Sequence, residues 1–140
     1  MPIYISVKNR AIIEAKFSGK CAYSGTKLKK NWQVDHIEPI LRNWRTKQIK
    51  NKSAHNMDNM IPCQRIINHY KGSLDLESFR DWYLGGLHKR IAKLPKKPRT
   101  KKSKDHKRYI LKVAKFFNIT KTKPFKGKFY FEILIENKLD

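Results

Sequence analysis

Acidic side chains are the scarcest class in this chain: eleven Asp and Glu stand against thirty-three Lys and Arg in 140 residues, for a net charge of +22. A balance so one-sided points to a polyanionic partner, because each phosphate that meets a lysine or arginine releases condensed counterions. Nucleic acid is the first candidate and an anionic membrane the rival. Long apolar runs are missing too, and no stretch approaches the roughly 20 residues that a spanning helix needs, which weighs against the membrane. The N-terminus lacks the charged-then-apolar pattern of a signal peptide, so the chain is expected to be intracellular. With only Cys21 and Cys63 there is no disulfide framework, and a reducing compartment keeps both as thiols. No internal repeat is present. What remains, 39% hydrophobic residues with 11% aromatic, suffices for one modest core.

Ser6 can cap a helix over 7–17 that places Val7, Ala11, Ile12 and Ala15 on one face, with Gly19 as its stop. Cys21-Ala-Tyr-Ser-Gly25 reads as a turn, and the alternation over 32–37 suits a strand that sends Asp35 and His36 to opposite faces. Residues 38–58 form a basic loop carrying Arg42, Arg45, Lys47, Lys50 and Lys52, longer than most structureless connections and therefore marked as functional. A short strand over 59–61 can pair back with the first, and a helix over 63–70 ends at Gly72. Ser73 or Asp75 opens another helix with Leu76, Phe79 and Tyr83 inward, interrupted at Gly85-Gly86. Residues 95–104 are proline-rich and charged, and read as a flexible basic linker. Asp105 can cap a last helix carrying Tyr109, Ile110, Val113, Ala114 and Phe117, and 128–135 has the composition of a closing strand. The class expected is α+β: a core over 1–94, the linker 95–104, and a helix and strand over 105–140 packing on that core.

Polar residues dispersed between Trp32 and Gly72 carry the chemistry. A carboxylate on the first strand and an amide oxygen from the following helix can hold one hard divalent ion. Positions left open for water and a phosphate oxygen suit Mg2+, which is reluctant to lose all its waters. Hydrolysis also needs a deprotonated water, and a neutral histidine such as His36 can take that proton at neutral pH without binding the metal.

These residues stand in Trp-Gln-Val-Asp35-His36-Ile-Glu-Pro-Ile, His-Asn-Met-Asp-Asn59-Met-Ile-Pro and Asn68-His-Tyr-Lys71-Gly-Ser-Leu, preceded by Lys-Phe-Ser-Gly-Lys-Cys21-Ala-Tyr-Ser-Gly and followed by a terminal Phe-Tyr-Phe-Glu. Over most of its length the chain thus resembles the HNH endonucleases of phage and bacteria. The resemblance implies a ββα-metal core, a DNA partner, hydrolysis of phosphodiester bonds with one Mg2+ or Mn2+ ion, and a cytoplasmic setting in a bacterium or phage-infected cell. It makes Asp35 a metal ligand, His36 the general base and Asn59 the residue that braces the loop and orients that base. Asn68, three residues before Lys71, takes the second ligand position, so the chain resembles an "HNN" variant. His69 is the alternative ligand, although adjacent helical residues point about 100° apart and the two are not expected to share one ion. Many members bind a structural zinc through two Cys-x-x-Cys pairs. Here the first reads Cys21-Ala-Tyr-Ser24 and the second Cys63-Gln-Arg-Ile66-Ile67, so no structural zinc is expected and packing of Ile66 or Ile67 takes over its stapling role.

Each signal also has a plainer reading. An isolated Asp-His pair is commonly a turn, Asn59 could simply fix one, and Lys71 could be a solvated helix-end charge rather than a phosphate contact. His55, His88 and His106 read as solvated, and Trp32, Trp44 and Trp82 as core or loop anchors, with base stacking as the alternative for Trp44 among its arginines. Arg42, Arg45, Arg65, Lys71, Lys96, Lys97, Arg99, Lys101 and Lys102 are the residues expected on DNA. A DNA-binding module with a vestigial nuclease site and a basic RNA-binding structural protein remain the alternative functions.

Overall fold

The computed structural model describes residues 5–139. The chain mixes helix and strand and forms two compact units, one of Met1–Leu76 with Phe129–Asp140 and one of Glu77–Lys128. The first unit opens with α1 (Val7–Ala15), whose N-cap Ser6 accepts a hydrogen bond from Asn9 N as the sequence suggests. The helix stops two residues short of the expected end, where Ser18 and Gly19 take up left-handed backbone. Strand β1 (Gln33–His36) pairs antiparallel with β2 (Met60–Cys63), setting His36 opposite Met60 and Asp35 opposite Ile61. Trp32 and Met60 pack with Ile13 of α1, flanked by Val34, Leu28 and Met57, which fixes the α1-facing side of the hairpin. Helix α2 (Arg65–Lys71) follows β2 directly, burying Ile67 and Lys71. The basic loop between the strands is not structureless. Arg42 bridges Ile49, and short 3-10 turns cover Lys52–Ala54 and Met57–Asn59.

The expected closing strand over 128–135 is instead the start of helix α6 (Tyr130–Leu139). Its aromatic and β-branched residues favour a strand locally, yet the first turn is better satisfied as a helix. Glu132 Oε1 accepts from Phe129 N, and the orphan amides of Tyr130 and Phe131 donate to the carbonyls of Tyr23 and Ala22 at 3.0 and 2.9 Å. Phe129 is fully buried, with its ring edge-to-face on Tyr23 at 5.2 Å between centroids.

The second unit begins within α3 (Leu76–Ser78), continues through a wide π-helical segment (Phe79–Leu84), and carries α4 (Leu87–Ala92) and α5 (Lys101–Phe116). Gly85 closes the wide turn by donating to Arg80 O, and a Cβ there would lie 2.4 Å from Asp81 O, so the site requires glycine. Phe79, Leu84, Leu87, Ile110, Val113 and Phe117 are buried. The flexible linker expected over 95–104 is not found. Thr100, not Asp105, caps α5 by accepting from Ser103 N, so Lys101, Lys102 and Lys104 form its first turn, and Lys107 Nζ ties the preceding segment through Pro95 O and Lys96 O. The division of the chain therefore falls near 76 and 128, not at the expected 94 and 104. Among the described residues, no helix is long and apolar enough to cross a membrane.

Candidate active site

The two-residue period of β1 separates the functional side chains onto its two faces. On the face toward α2, buried Asp35 receives Tyr23 Oη at 2.6 Å and Lys71 Nζ at 3.1 Å, both on Oδ2. Lys71 also donates to the carbonyl of His36 at 3.4 Å. Two residues back along the strand and so on the same face, Gln33 Oε1 accepts from Asn68 Nδ2 at 2.8 Å, which sets Asn68 over the face of β1 that holds Asp35. His69, the alternative ligand, is exposed on α2. Burial and the negative charge of Asp35 raise the Tyr23 hydroxyl well above its ordinary value, so Tyr23 stays a proton donor toward the carboxylate.

His36 lies half-buried on the opposite face, with its Nε2 3.2 Å from Nδ1 of His55. Burial comes first among the causes that lower its pKa from 6.5, followed by the charge of His55. Asp35 opposes the shift, and Lys71 and Arg42 add to it. The imidazole is therefore neutral at neutral pH, the state a base must occupy. Asn59 holds both imidazoles in register. Its Oδ1 accepts from Glu38 N at 2.8 Å, and its Nδ2 donates to Glu38 O at 3.0 Å and Ala54 O at 2.6 Å. It thus clamps the exit of β1 after His36 against the residue before His55. With both amide hydrogens bound to backbone, Asn59 is a positioning residue.

The donor chemistry fits a hard divalent cation: one carboxylate and one neutral amide oxygen, with Oδ1 of Asp35 not shared by Tyr23 and Lys71. Asp35 and Asn68 would hold the ion. Among the described residues, no group of three or more His, Cys, Asp and Glu side chains gathers into a metal site. Cys21 and Cys63 are both fully buried free thiols, with Ile67 fully buried and Ile66 half-buried. Burial raises the Cys21 thiol, but hydrogen bonds from Cys63, from the Ser24 side chain and from the backbone of Ser24 and Gln64 outweigh it and bring it to about 6. Burial and the bond to Cys21 push the Cys63 thiol up.

The cations divide. Lys71, expected on a phosphate, is enclosed with its side chain 0% exposed because Asp35 needs a counter-charge inside the fold. Arg45, Arg65, Lys96, Lys97, Arg99, Lys101 and Lys102 are exposed, and Arg42 is half-buried with its guanidinium on Lys47 O at 2.7 Å. The sequence pattern singled out Asp35, His36, Asn59 and Asn68, and the fold gathers them around β1. It gave no signal for Tyr23, Gln33 or the pairing of His55 with His36. No family model, curated protein or solved structure matches this chain.

Proposed function

We propose that this chain is a metal-dependent DNA endonuclease of the HNH kind, with β1, β2 and α2 as its ββα-metal core. The observation that carries the reading is the division of labour on β1: adjacent residues Asp35 and His36 face apart, one on the face where Asn68 meets Gln33 and the other held by His55 and the Asn59 clamp. With Nε2 turned to His55, Nδ1 of His36 is the atom that takes the proton from a water molecule. The oxygen of that water forms the new bond to phosphorus as the bond to the leaving oxygen breaks, and the leaving oxygen acquires a proton from solvent. A bound Mg2+ or Mn2+ ion would supply positive charge against the charge that develops on the phosphate oxygens. Asp35 and Asn68 would hold the ion, and Lys71 and Tyr23 keep the Asp35 carboxylate in one orientation.

The exposed lysines and arginines supply affinity through phosphate contacts, which favours a DNA partner in the cytoplasm of a bacterium or phage-infected cell. Incubation with supercoiled plasmid tests the reading. Nicked or linear product should form with Mg2+ or Mn2+ and not in EDTA, and His36→Ala should lower the rate about 100-fold or more while DNA binding persists. Binding without cleavage in the wild type would leave a DNA-binding module, and a preference for RNA would favour a structural RNA-binding protein.

A further inference from the structure

The segment after His36 contains no acidic residue between Glu38 and Asp58, and it folds back on itself instead of running loose. Lys50 N donates to Leu41 O at 2.7 Å, Asn43 N to Gln48 O at 2.8 Å, and Lys47 N to Asn43 O at 2.8 Å, while Asn43 Oδ1 accepts from the amides of Arg45 and Thr46. Asn51 fastens the base of this hairpin through Leu41 N and Pro39 O. The tip so fixed presents Trp44 at 73% exposure, with the Arg45 guanidinium 4.7 Å from the ring centroid. A large ring held rigidly in water among cations, with none of its own core to enter, is a stacking surface awaiting a π-face that arrives with negative charge.

The hairpin also walls a cleft of about 450 Å³ lined by Arg42, Lys47, Gln48, Ile49, Lys52 and His55. His55 is at once a wall of this cleft and the partner of His36. A phosphate in the cleft therefore lies beside the reacting centre, and the nucleotide attached to it comes within reach of the tip.

We infer that the 41–50 hairpin is a sensor of unpaired DNA: the cleft takes a phosphate flanking the scissile one, and Trp44 stacks on an unstacked base of the same strand. The inference rests on the nuclease reading only in placing the cleft beside the cut. Duplex DNA offers phosphates but no free base face, so gapped or flapped DNA is the substrate class this hairpin selects.

The test is a fluorescence anisotropy titration of the full chain in EDTA, where cleavage plays no part, against a fluorescein-labelled duplex and the same duplex with a short single-stranded gap. Wild type should bind the gapped DNA about tenfold more tightly. Trp44→Ala and Trp44→Leu should both bring that ratio close to one, and Trp44→Phe should keep most of it. Trp44→Leu retains apolar bulk without a ring and so separates stacking from simple burial. A wild-type ratio of one, or an unchanged ratio in Trp44→Leu, overturns the inference. Plasmid cleavage is scored separately: a chain that prefers gapped DNA through Trp44 but never cuts refutes the nuclease alone, and one that cuts without the preference refutes the sensor alone.

Discussion

Replacing His55 by alanine removes both things it does to His36: the bond at Nε2 and the electrostatic interaction that, after burial, most lowers the imidazole pKa. In the proposed mechanism the base is neutral His36, so the wild-type rate should fall as pH drops through a value below 6.5. His55→Ala should move that acid limb upward toward 6.5 and lower the plateau about tenfold, read from a pH–rate profile. The same lowered pKa ties stability to pH. The unfolded chain protonates first, so the contribution of His36 is full above 6.5 and is lost as pH falls from there through the lowered value. Lys71→Ala makes a different demand. It strands a buried carboxylate, and urea unfolding should show a loss of about 3 kcal/mol, while the salt dependence of DNA binding stays as in wild type. Asp35, His36, Asn59 and Asn68 could be singled out because they stand in a recurring spacing along the chain. Tyr23 and His55 were not, since each meets its partner 12 or 19 residues away and nothing local marks the meeting.

Gly25 shows how elements depend on one another. Its φ is +74°, and a Cβ placed there would meet Cδ2 of Tyr130 at 2.7 Å, so Gly25→Ala strains the Cys21 turn and pushes on the first turn of α6 together. A loss of roughly 1–2 kcal/mol is expected by urea unfolding. Helices α1 and α2 and the strand pair could be read from caps and alternation, with ends off by one or two residues, but the apolar face expected of α1 is overturned: Val7, Ala11, Ile12 and Ala15 are exposed and Ile13 is the residue it buries. Two elements could not. Residues 128–135 favour a strand by composition, but the hairpin in the described residues pairs only β1 with β2, and the carbonyls of Ala22 and Tyr23 accept the helical amides instead. The start of α5 was hidden by its lysines, which repel one another and sit at the positive end of the helix. Thr100 and the buried Ile110, Val113 and Ala114 override that cost.

For the molecule as a whole, the net charge of +22 sets how affinity responds to salt. If phosphate contacts dominate, log affinity falls linearly with log salt, with a slope set by the number of phosphates neutralised. Replacing Lys96, Lys97, Arg99, Lys101, Lys102 and Lys104 by serine should flatten that slope and weaken all duplexes alike, measured by titration at several ionic strengths. An unchanged slope would move the holding surface to the 42–52 loop. The two thiols offer a separate reading of the same molecule. Both lie fully buried in the unit that holds the candidate site, and Glu77–Lys128 has no cysteine at all. An aromatic disulfide reagent in native buffer can reach Cys21 and Cys63 only through openings of that unit, so its labelling rate is a stopwatch for excursions of one half of the chain. Gly25→Ala should run that stopwatch faster well before any denaturant is added, and no probe has to be engineered to hear it.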